Sequence, residues 1–125
     1  MVLNKPWTEA SAAALGHLPG ALGVFELRNS AGEISFIGFA GGRTRYGLRS
    51  AITDSIEQLR AAGDPPDALH YEVNQMYLTR YVEVLEKYIQ SAGDIPPGNK
   101  AEGVYIPNVI HHKLRRAPLV PGGTL

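Results

Sequence analysis

Apolar residues dominate two runs near the start of the chain, with single polar residues among them. In GVFELRN, Glu26 and Arg28 interrupt a series of apolar positions. The second run, EISFIGFA, is rich in aromatic and β-branched residues, and residues 29–32 between the two runs have the composition of a turn. This pattern predicts a β-hairpin.

The spacing of apolar residues changes after this hairpin. From Tyr46 to Ala62 the apolar residues recur every three or four positions, which predicts a helix, and Gly63 ends it. The alternation in LHYEV predicts a third strand over residues 69–73. A second helix is predicted from Tyr77 to Ala92, and its buried stripe consists of Leu78, Tyr81, Val82, Leu85 and Ile89.

The two ends of the chain complete the predicted organisation. TEASAAAL, residues 8–15, predicts a short helix with Thr8 as its N-cap. IPPGNK, residues 95–100, predicts a rigid loop, and residues 102–125 form an extended, Pro-punctuated C-terminal arm. The element order β-β-α-β-α predicts an α+β domain with a three-stranded sheet and flanking helices. We expect residues 1–125 to be one domain with its core at about 20–99.

Composition excludes several classes of protein. A chain of 125 residues with 44% hydrophobic and 19% charged residues is typical of a single globular domain. The twelve basic and twelve acidic residues balance, which argues against a highly basic nucleic-acid binder but permits a local basic face. The absence of cysteine excludes disulfides, thiolate metal sites and a cysteine nucleophile. There is no apolar run of membrane-spanning length and no apolar leader, so we expect a cytoplasmic protein without a membrane partner.

Two tripeptides carry a resemblance to a known family. Gly23-Val24-Phe25 on the first strand and Phe36-Ile37-Gly38 on the second resemble the paired tripeptides of the GIY-YIG nuclease family. The ten residues between them suit the hairpin of that family, and the helix, strand and helix that follow are in the same order. Glu83 and Glu86 on the last long helix, followed by a Pro-containing loop and Asn99, extend the similarity. It covers residues 20–99.

The resemblance implies a small GIY-YIG-like fold and hydrolysis of a nucleic-acid phosphodiester. In the family, a tyrosine phenol on the hairpin helps to activate water, a helix arginine steadies the phosphate, and one glutamate holds a divalent metal, usually magnesium. Here the resemblance implies Arg49, or else Arg45, for the phosphate. It implies Glu83 for Mg²⁺, in preference to Glu86, which is followed by Lys87.

The chain departs from the family at both motif tyrosines. Phe25 and Phe36 stand in their place, and a phenyl ring has no hydroxyl to relay a proton. These rings can instead simply pack across adjacent strands. If proton transfer is retained, another phenol must provide it, and Tyr46 is nearest to the hairpin in sequence, with Tyr77 and Tyr81 as alternatives.

A cluster of arginines is the strongest local sign of an anion site. Arg43, Arg45 and Arg49 occupy a Gly-rich loop that opens a helix, where backbone N–H groups and guanidinium groups suit a phosphate or a carboxylate. The alternative is a solvated, charged loop. Arg80 and Asn99 are further candidates for substrate contact, although Asn99 can simply close its loop and Arg80 can pair with Glu83.

Three functions remain open from the sequence. The first is a divergent GIY-YIG-like domain that acts on a phosphodiester or a related anion, as a magnesium-dependent hydrolase if it is an enzyme. The second is a GIY-YIG-derived binding module that has lost hydrolysis, and the third is a small-metabolite enzyme on the same scaffold. The expected partners are nucleic acid or a small anionic ligand. The apolar VYIPNVI segment and Leu119–Val120 suggest that the arm docks either on its own domain or on a second subunit, which would give a homodimer.

Overall fold

The computed structural model describes residue 3, residues 5–42 and residues 45–102. For residues 101 and 102 it describes the backbone only. This part of the chain contains four strands and four helices. In chain order they are β1 (Thr8–Glu9), α1 (Ala12–Gly16), β2 (Gly23–Arg28), β3 (Ile34–Ala40), α2 (Gly47–Ala61), β4 (Ala68–Val73), α3 (Tyr77–Ala92) and α4 (Pro97–Glu102). Arg43 and the arm beyond residue 102 lie outside the described residues.

The strands form one antiparallel sheet in the order β1-β4-β2-β3. Strand β2 is central and pairs with β3 on one side and β4 on the other. Its residue Phe25 lies opposite Gly38 and Tyr71, and its residue Glu26 lies opposite Ile37 and His70. The predicted α+β class is therefore confirmed, as are the hairpin and both long helices, with α3 at the predicted bounds.

Helices cover both faces of this sheet. On one face Val24 and Ile37 pack with the apolar stripe of α3, which includes Tyr81 and Leu85. On the other face Phe25, Leu27 and Phe36 pack with the stripe of α2 (Leu48, Ile52, Ile56 and Leu59). Because both faces are covered, the first five residues of β2 are all buried, including the charged Glu26.

The N-terminal helix prediction was wrong in its start and its cap. Thr8 and Glu9 pair with Leu69 and Ala68 as an edge strand, so the sheet has a fourth strand instead of the three expected. Helix α1 starts only after Ser11, whose Oγ accepts a hydrogen bond from the backbone N–H of Ala14 at 3.1 Å. The alanines, which favour a helix, form one only after the strand pairing between β1 and β4 has ended.

The segment predicted as a rigid loop contains helix α4. Pro97 occupies its first position, where a missing N–H costs nothing and the fixed φ suits a helix. This short helix packs against β3, and a Cβ at Gly98 would lie only 2.5 Å from the carbonyl oxygen of Ser35. Within the described ranges, no helix is both long enough and apolar enough to cross a membrane.

Candidate functional site

Some of the residues that the sequence singled out lie at one end of the sheet, where β2 begins and β3 and β4 end: Arg45, Tyr46, Arg49 and Arg80. We call this end of the sheet the loop end. Asn74, just after β4, donates its backbone N–H to the carbonyl of Leu22 at 2.9 Å. The N–H of Leu48, at the start of α2, bonds to the carbonyl of Ala21, also at 2.9 Å. Both long helices therefore begin at the loop end.

Arg49 is a fixed cation at the loop end. Its Nε–H donates to the carbonyl of Leu18 at 3.0 Å, and its backbone N–H donates to the carbonyl of Pro19 at 3.1 Å. The residue is exposed. No other side-chain bond of Arg49 exists with the described residues. The terminal guanidinium nitrogens remain available for an oxyanion, and the anchored Nε reduces the entropy lost on binding.

Arg45 and Tyr46 form a second exposed feature beside the start of α2. The guanidinium carbon of Arg45 lies 5.1 Å from the centroid of the Tyr46 ring, and Tyr46 is 59% exposed. Tyr46 has a φ of 61° and Gly47 a φ of 54°. A Cβ at Gly47 would lie 2.4 Å from the carbonyl oxygen of Ala21, so only glycine fits where this loop passes so closely.

Arg80, at the start of α3, is engaged by two carboxylates. Its Nε donates to Glu72 at 3.0 Å and its Nη1 to Glu83 at 3.3 Å. Asn74 also donates to Glu72, at 3.0 Å. Burial alone would raise the pKa of Glu72, but the hydrogen bonds from Asn74 and Arg80 outweigh it and lower that pKa. The pKa of Arg80 is raised, because its carboxylate partners outweigh its burial.

The expected magnesium ligand is part of this ion-pair network. Glu83 has a side chain that is 56% exposed, and its carboxylate faces a guanidinium. Among the described residues, no group of three or more His, Asp or Glu side chains is arranged to hold a metal ion. Magnesium needs only one or two protein carboxylates beside a phosphate, but at Glu83 a cation would compete with the guanidinium of Arg80 for one of the two carboxylate oxygens. The present arrangement therefore fits a bound cation poorly.

Phe25 and Phe36 lie in the interior. They are 1% and 9% exposed, their ring centroids are 5.9 Å apart, and both belong to the core beneath α2. A Cβ at Gly38 would lie 2.5 Å from the ring of Phe25 and 2.7 Å from that of Phe36. The glycine of the second tripeptide thus makes room for both rings. This geometry is that of packing, and it leaves the two rings little contact with solvent.

The three alternative phenols occupy different environments. Burial raises the pKa of Tyr81, whose side chain is almost inaccessible. The hydroxyl of Tyr77 accepts a hydrogen bond from the backbone N–H of Gly42 at 3.5 Å, beside β3. Tyr46 is the most exposed of the three.

Asn99 is 1% exposed and bonds to the outer edge of β3. Its Oδ1 accepts from the N–H of Ile37 at 2.9 Å, and its Nδ2 donates to the carbonyl of the same residue at 2.8 Å. The side-chain amide therefore replaces a neighbouring strand. It stabilises the fold, and its polar atoms are used inside the protein.

A buried polar pair was missed by the sequence analysis. His70 Nε2 lies 2.5 Å from Glu26 Oε1, and both side chains are only 1% exposed. His70 Nδ1 lies 2.9 Å from the carbonyl oxygen of Lys5. The ring of Trp7 stacks on that of His70, with centroids 3.8 Å apart, and the guanidinium of Arg28 lies 4.6 Å from the centre of the Trp7 ring.

Hydrogen-bond chemistry assigns the protons of this pair. Because the Lys5 carbonyl can only accept, Nδ1 of His70 carries a proton. A second proton must lie between Nε2 and Glu26 Oε1, either on the ring or on the carboxyl group. Both ring nitrogens are thus used, and His70 holds the N-terminal segment on the sheet instead of serving a substrate. The other carboxyl oxygen of Glu26 has no partner among the described residues.

A groove runs beside His70 at the edge of β4. Its volume is about 400 Å³, within the usual size range of ligand pockets. It is lined by Lys5, Pro6, Thr8, His70, Tyr71, Glu72 and Val73. The arginines of the loop end do not line it.

Comparison with known proteins gives one family. The model of the family described as "Domain of unknown function (DUF7508)" matches residues 1–90, which include the sheet, the loop end and most of α3. No curated protein and no solved structure matches the chain significantly.

Proposed function

The chain belongs to the DUF7508 family, and we propose that it is a divergent, GIY-YIG-like cytoplasmic domain that binds the phosphodiester backbone of a nucleic acid at the loop end. The observation that carries this proposal is the anchored guanidinium of Arg49 at the first turn of α2. Arg45 supplies a second cation, and the exposed ring of Tyr46 beside it offers a face on which a base can stack.

Binding without hydrolysis agrees best with the surroundings of this site. The two motif positions that would supply phenols hold buried phenylalanines, Phe25 and Phe36. Glu83, the expected metal ligand, and Arg80, a candidate for substrate contact, are paired with one another in the ion-pair network with Glu72. The domain therefore retains cations for the phosphate, while the groups that would move a proton or hold magnesium are buried or paired.

Magnesium-dependent hydrolysis is the second candidate function. It is favoured by the exposed phenol of Tyr46, which adjoins the same arginines and is a substitute for the missing tyrosines. In that case Glu83 would hold the metal ion after release of Arg80, and the ion would polarise the phosphate.

Salt-dependent binding measurements test the proposal. Fluorescently labelled single-stranded, duplex and branched DNA and RNA are titrated with protein at 50–200 mM salt, a range in which counterion release dominates affinity. We expect Arg49→Ala to weaken binding and to reduce the slope of log K against log salt by about one. Arg60→Ala is the matched control, since Arg60 is an exposed arginine at the other end of α2. Equal binding by wild type and Arg49→Ala would refute the proposal.

The same panel with magnesium or with EDTA separates binding from hydrolysis. Binding without cleavage in either condition is the expected result. Cleavage that needs magnesium and is lost in Glu83→Ala, but kept in Glu57→Ala, would establish hydrolysis instead. The exposed Glu57 pairs with an arginine three residues away, as Glu83 does. Absence of salt-sensitive binding to every nucleic acid would leave a protein-binding or small-molecule function.

A further inference from the structure

The outer edge of β4 is open over its last three residues. Asn74 donates its N–H to Leu22, the residue before β2, and hydrogen bonds alternate between the two sides of an antiparallel strand. The backbone N–H and C=O groups of His70 and Glu72 therefore point toward β2 as well. Those of Leu69, Tyr71 and Val73 point away from β2, to the outer side of β4. Strand β1 covers only Leu69, through Thr8. No described strand covers Tyr71 or Val73.

The groove of about 400 Å³ follows this open edge. Lys5, Pro6 and Thr8 form one wall, and residues 70–73 of β4 form the other. Val73 is 55% exposed. Two outward pairs of N–H and C=O groups beside a groove are a template for the addition of an extended strand.

The opposite edge of the sheet is covered by α4 at Ser35 and Ile37. On β3, both outward backbone groups of Ile37 are bonded to the side chain of Asn99. Gly98 lies so close to Ser35 that a Cβ there would be 2.5 Å from its carbonyl oxygen. The outer edge of β3 is thus covered by the side chain of Asn99. The outer edge of β4 is covered only over the two residues that pair with β1.

A segment of suitable length and composition follows α4. Val104-Tyr105-Ile106 consists of residues with high strand propensity, and Pro107 would end a strand directly after it. Three residues match the open length of β4, Tyr71 to Val73. Residues 103–125 lie outside the part of the chain that the structure describes.

Distance indicates which copy supplies this segment. Asn99 lies beyond β3, and a strand added to β4 would lie on the far side of β4 and β2. The distance between them is four strand spacings, or about 19 Å at 4.8 Å per spacing. From Asn99 to Val104 the chain passes through the rest of α4 and then two residues, which reach at most about 12 Å. The segment cannot reach the open edge of its own sheet.

We propose that Val104–Ile106 of a second copy adds as a strand to the open edge of β4, and that reciprocal exchange forms a twofold homodimer. This exchange would bury the groove beside Lys5 and complete the hydrogen bonding of Tyr71 and Val73. It does not depend on nucleic-acid binding at the loop end. A closed twofold pair also satisfies both open edges at once, so the assembly does not grow further.

Disulfide trapping tests the proposal, because the chain contains no cysteine. Val73→Cys is purified separately from Val104→Cys and from Ile106→Cys, the residues that lie opposite it when the added strand is antiparallel or parallel to β4, and is then mixed with each and oxidised mildly. In one of the two mixtures we expect disulfide-linked dimers that contain one copy of each variant, since bridging requires Cα atoms within about 7 Å. Ser30→Cys, in the exposed hairpin turn, replaces Val73→Cys in the control mixtures and should not cross-link. A monomer by light scattering with no mixed disulfide would overturn the proposal, as would an intramolecular disulfide in a chain carrying both substitutions of either pair.

Amide hydrogen exchange provides a second measurement. In the full-length chain, exchange at Tyr71 and Val73 should slow by about tenfold or more as protein concentration rises through the dimerisation range. The double variant Val104→Pro with Tyr105→Pro should abolish this protection, because one of these two N–H groups faces β4 in either strand direction and proline has no N–H to donate. Leu119→Pro, elsewhere in the same arm, should retain it. Rates that are independent of concentration, or unaffected by the two prolines at 104 and 105, would contradict the exchange.

Discussion

Glu26 and His70 face one another across the two neighbouring strands β2 and β4, with Oε1 and Nε2 2.5 Å apart and both side chains excluded from water. This contact joins the centre of the sheet to the N-terminal segment, because His70 also bonds to Lys5 and stacks on Trp7. A charged or proton-sharing pair in such a place is strongly destabilising when only one member is removed.

We therefore expect His70→Ala to lower the free energy of unfolding by about 3–5 kcal/mol, because it leaves the Glu26 carboxyl group buried without its partner. The double variant Glu26→Leu with His70→Phe should lose clearly less, since apolar groups of similar size need no partner. Urea denaturation measures both. His17→Ala, at an exposed histidine, is the control and should have almost no effect. Equal losses for His70→Ala and His17→Ala would refute the coupling.

Asn99 should contribute stability and not affinity for a substrate. Asn99→Ala leaves the N–H and C=O of Ile37 without partners in the interior, which we expect to cost on the order of 2–4 kcal/mol. Asn29→Ala is the matched control, because the Asn29 side chain also makes two hydrogen bonds to the backbone, but in an exposed turn where water can replace it. If Asn99→Ala weakened nucleic-acid binding with no loss of stability, Asn99 would be a substrate-binding residue after all.

Gly38 should be intolerant of even a methyl group. The Cβ of Gly38→Ala would overlap the rings of Phe25 and Phe36, which the helix beneath prevents from moving, so we expect a loss of about 1–3 kcal/mol. Gly16→Ala provides the comparison, because Gly16 ends α1 with open space around it and should be neutral or slightly stabilising. Thermal unfolding of the two variants distinguishes these outcomes, and equal melting temperatures would show that the tripeptide glycine has no packing role.

The Glu72–Arg80 pair should give a defined dependence of stability on pH. Since the folded-state pKa of Glu72 lies below its ordinary value of 4.5, its contribution is fully present above that pH and is lost as the pH falls through the depressed folded value. The difference in unfolding free energy between wild type and Glu72→Gln should be on the order of 1 kcal/mol at pH 7 and should shrink below pH 4.5. Glu57→Gln, on the exposed face of α2, should show a much smaller difference. A difference that grew on acidification would contradict this assignment.

Much of the fold follows from local sequence patterns. The hairpin, α2, β4 and α3 were predictable because apolar periodicity and glycine stops act over short stretches of chain. The start of the first helix was not, because Thr8 and Glu9 are recruited by the edge of β4, a strand some sixty residues away. Helix α4 was missed because a six-residue helix that begins at the second of two prolines has too few positions to show a period.

The site was predictable only in part. The arginines at the start of α2 and the Arg80–Glu83 pair are local features, and the structure places them at the loop end as exposed or paired side chains. The interior position of Asn99 depends on its packing against β3, which no spacing in the sequence reveals. The coupling of Glu26 with His70 was missed because alternation predicts solvent for a polar strand residue when only one face of the sheet is assumed to be covered.

The sequence by itself determined the α+β class, the hairpin with its two tripeptides, both long helices and the cluster of arginines, because each depends on residues close together in the chain. Only the tertiary structure decided that both faces of the sheet are covered, that Glu26 meets His70 and that Arg80 is shared by Glu72 and Glu83. It also decided which edge of the sheet stays open. These relationships join residues distant in the chain, and they exist only when the strands are in register and the helices have packed on both sides.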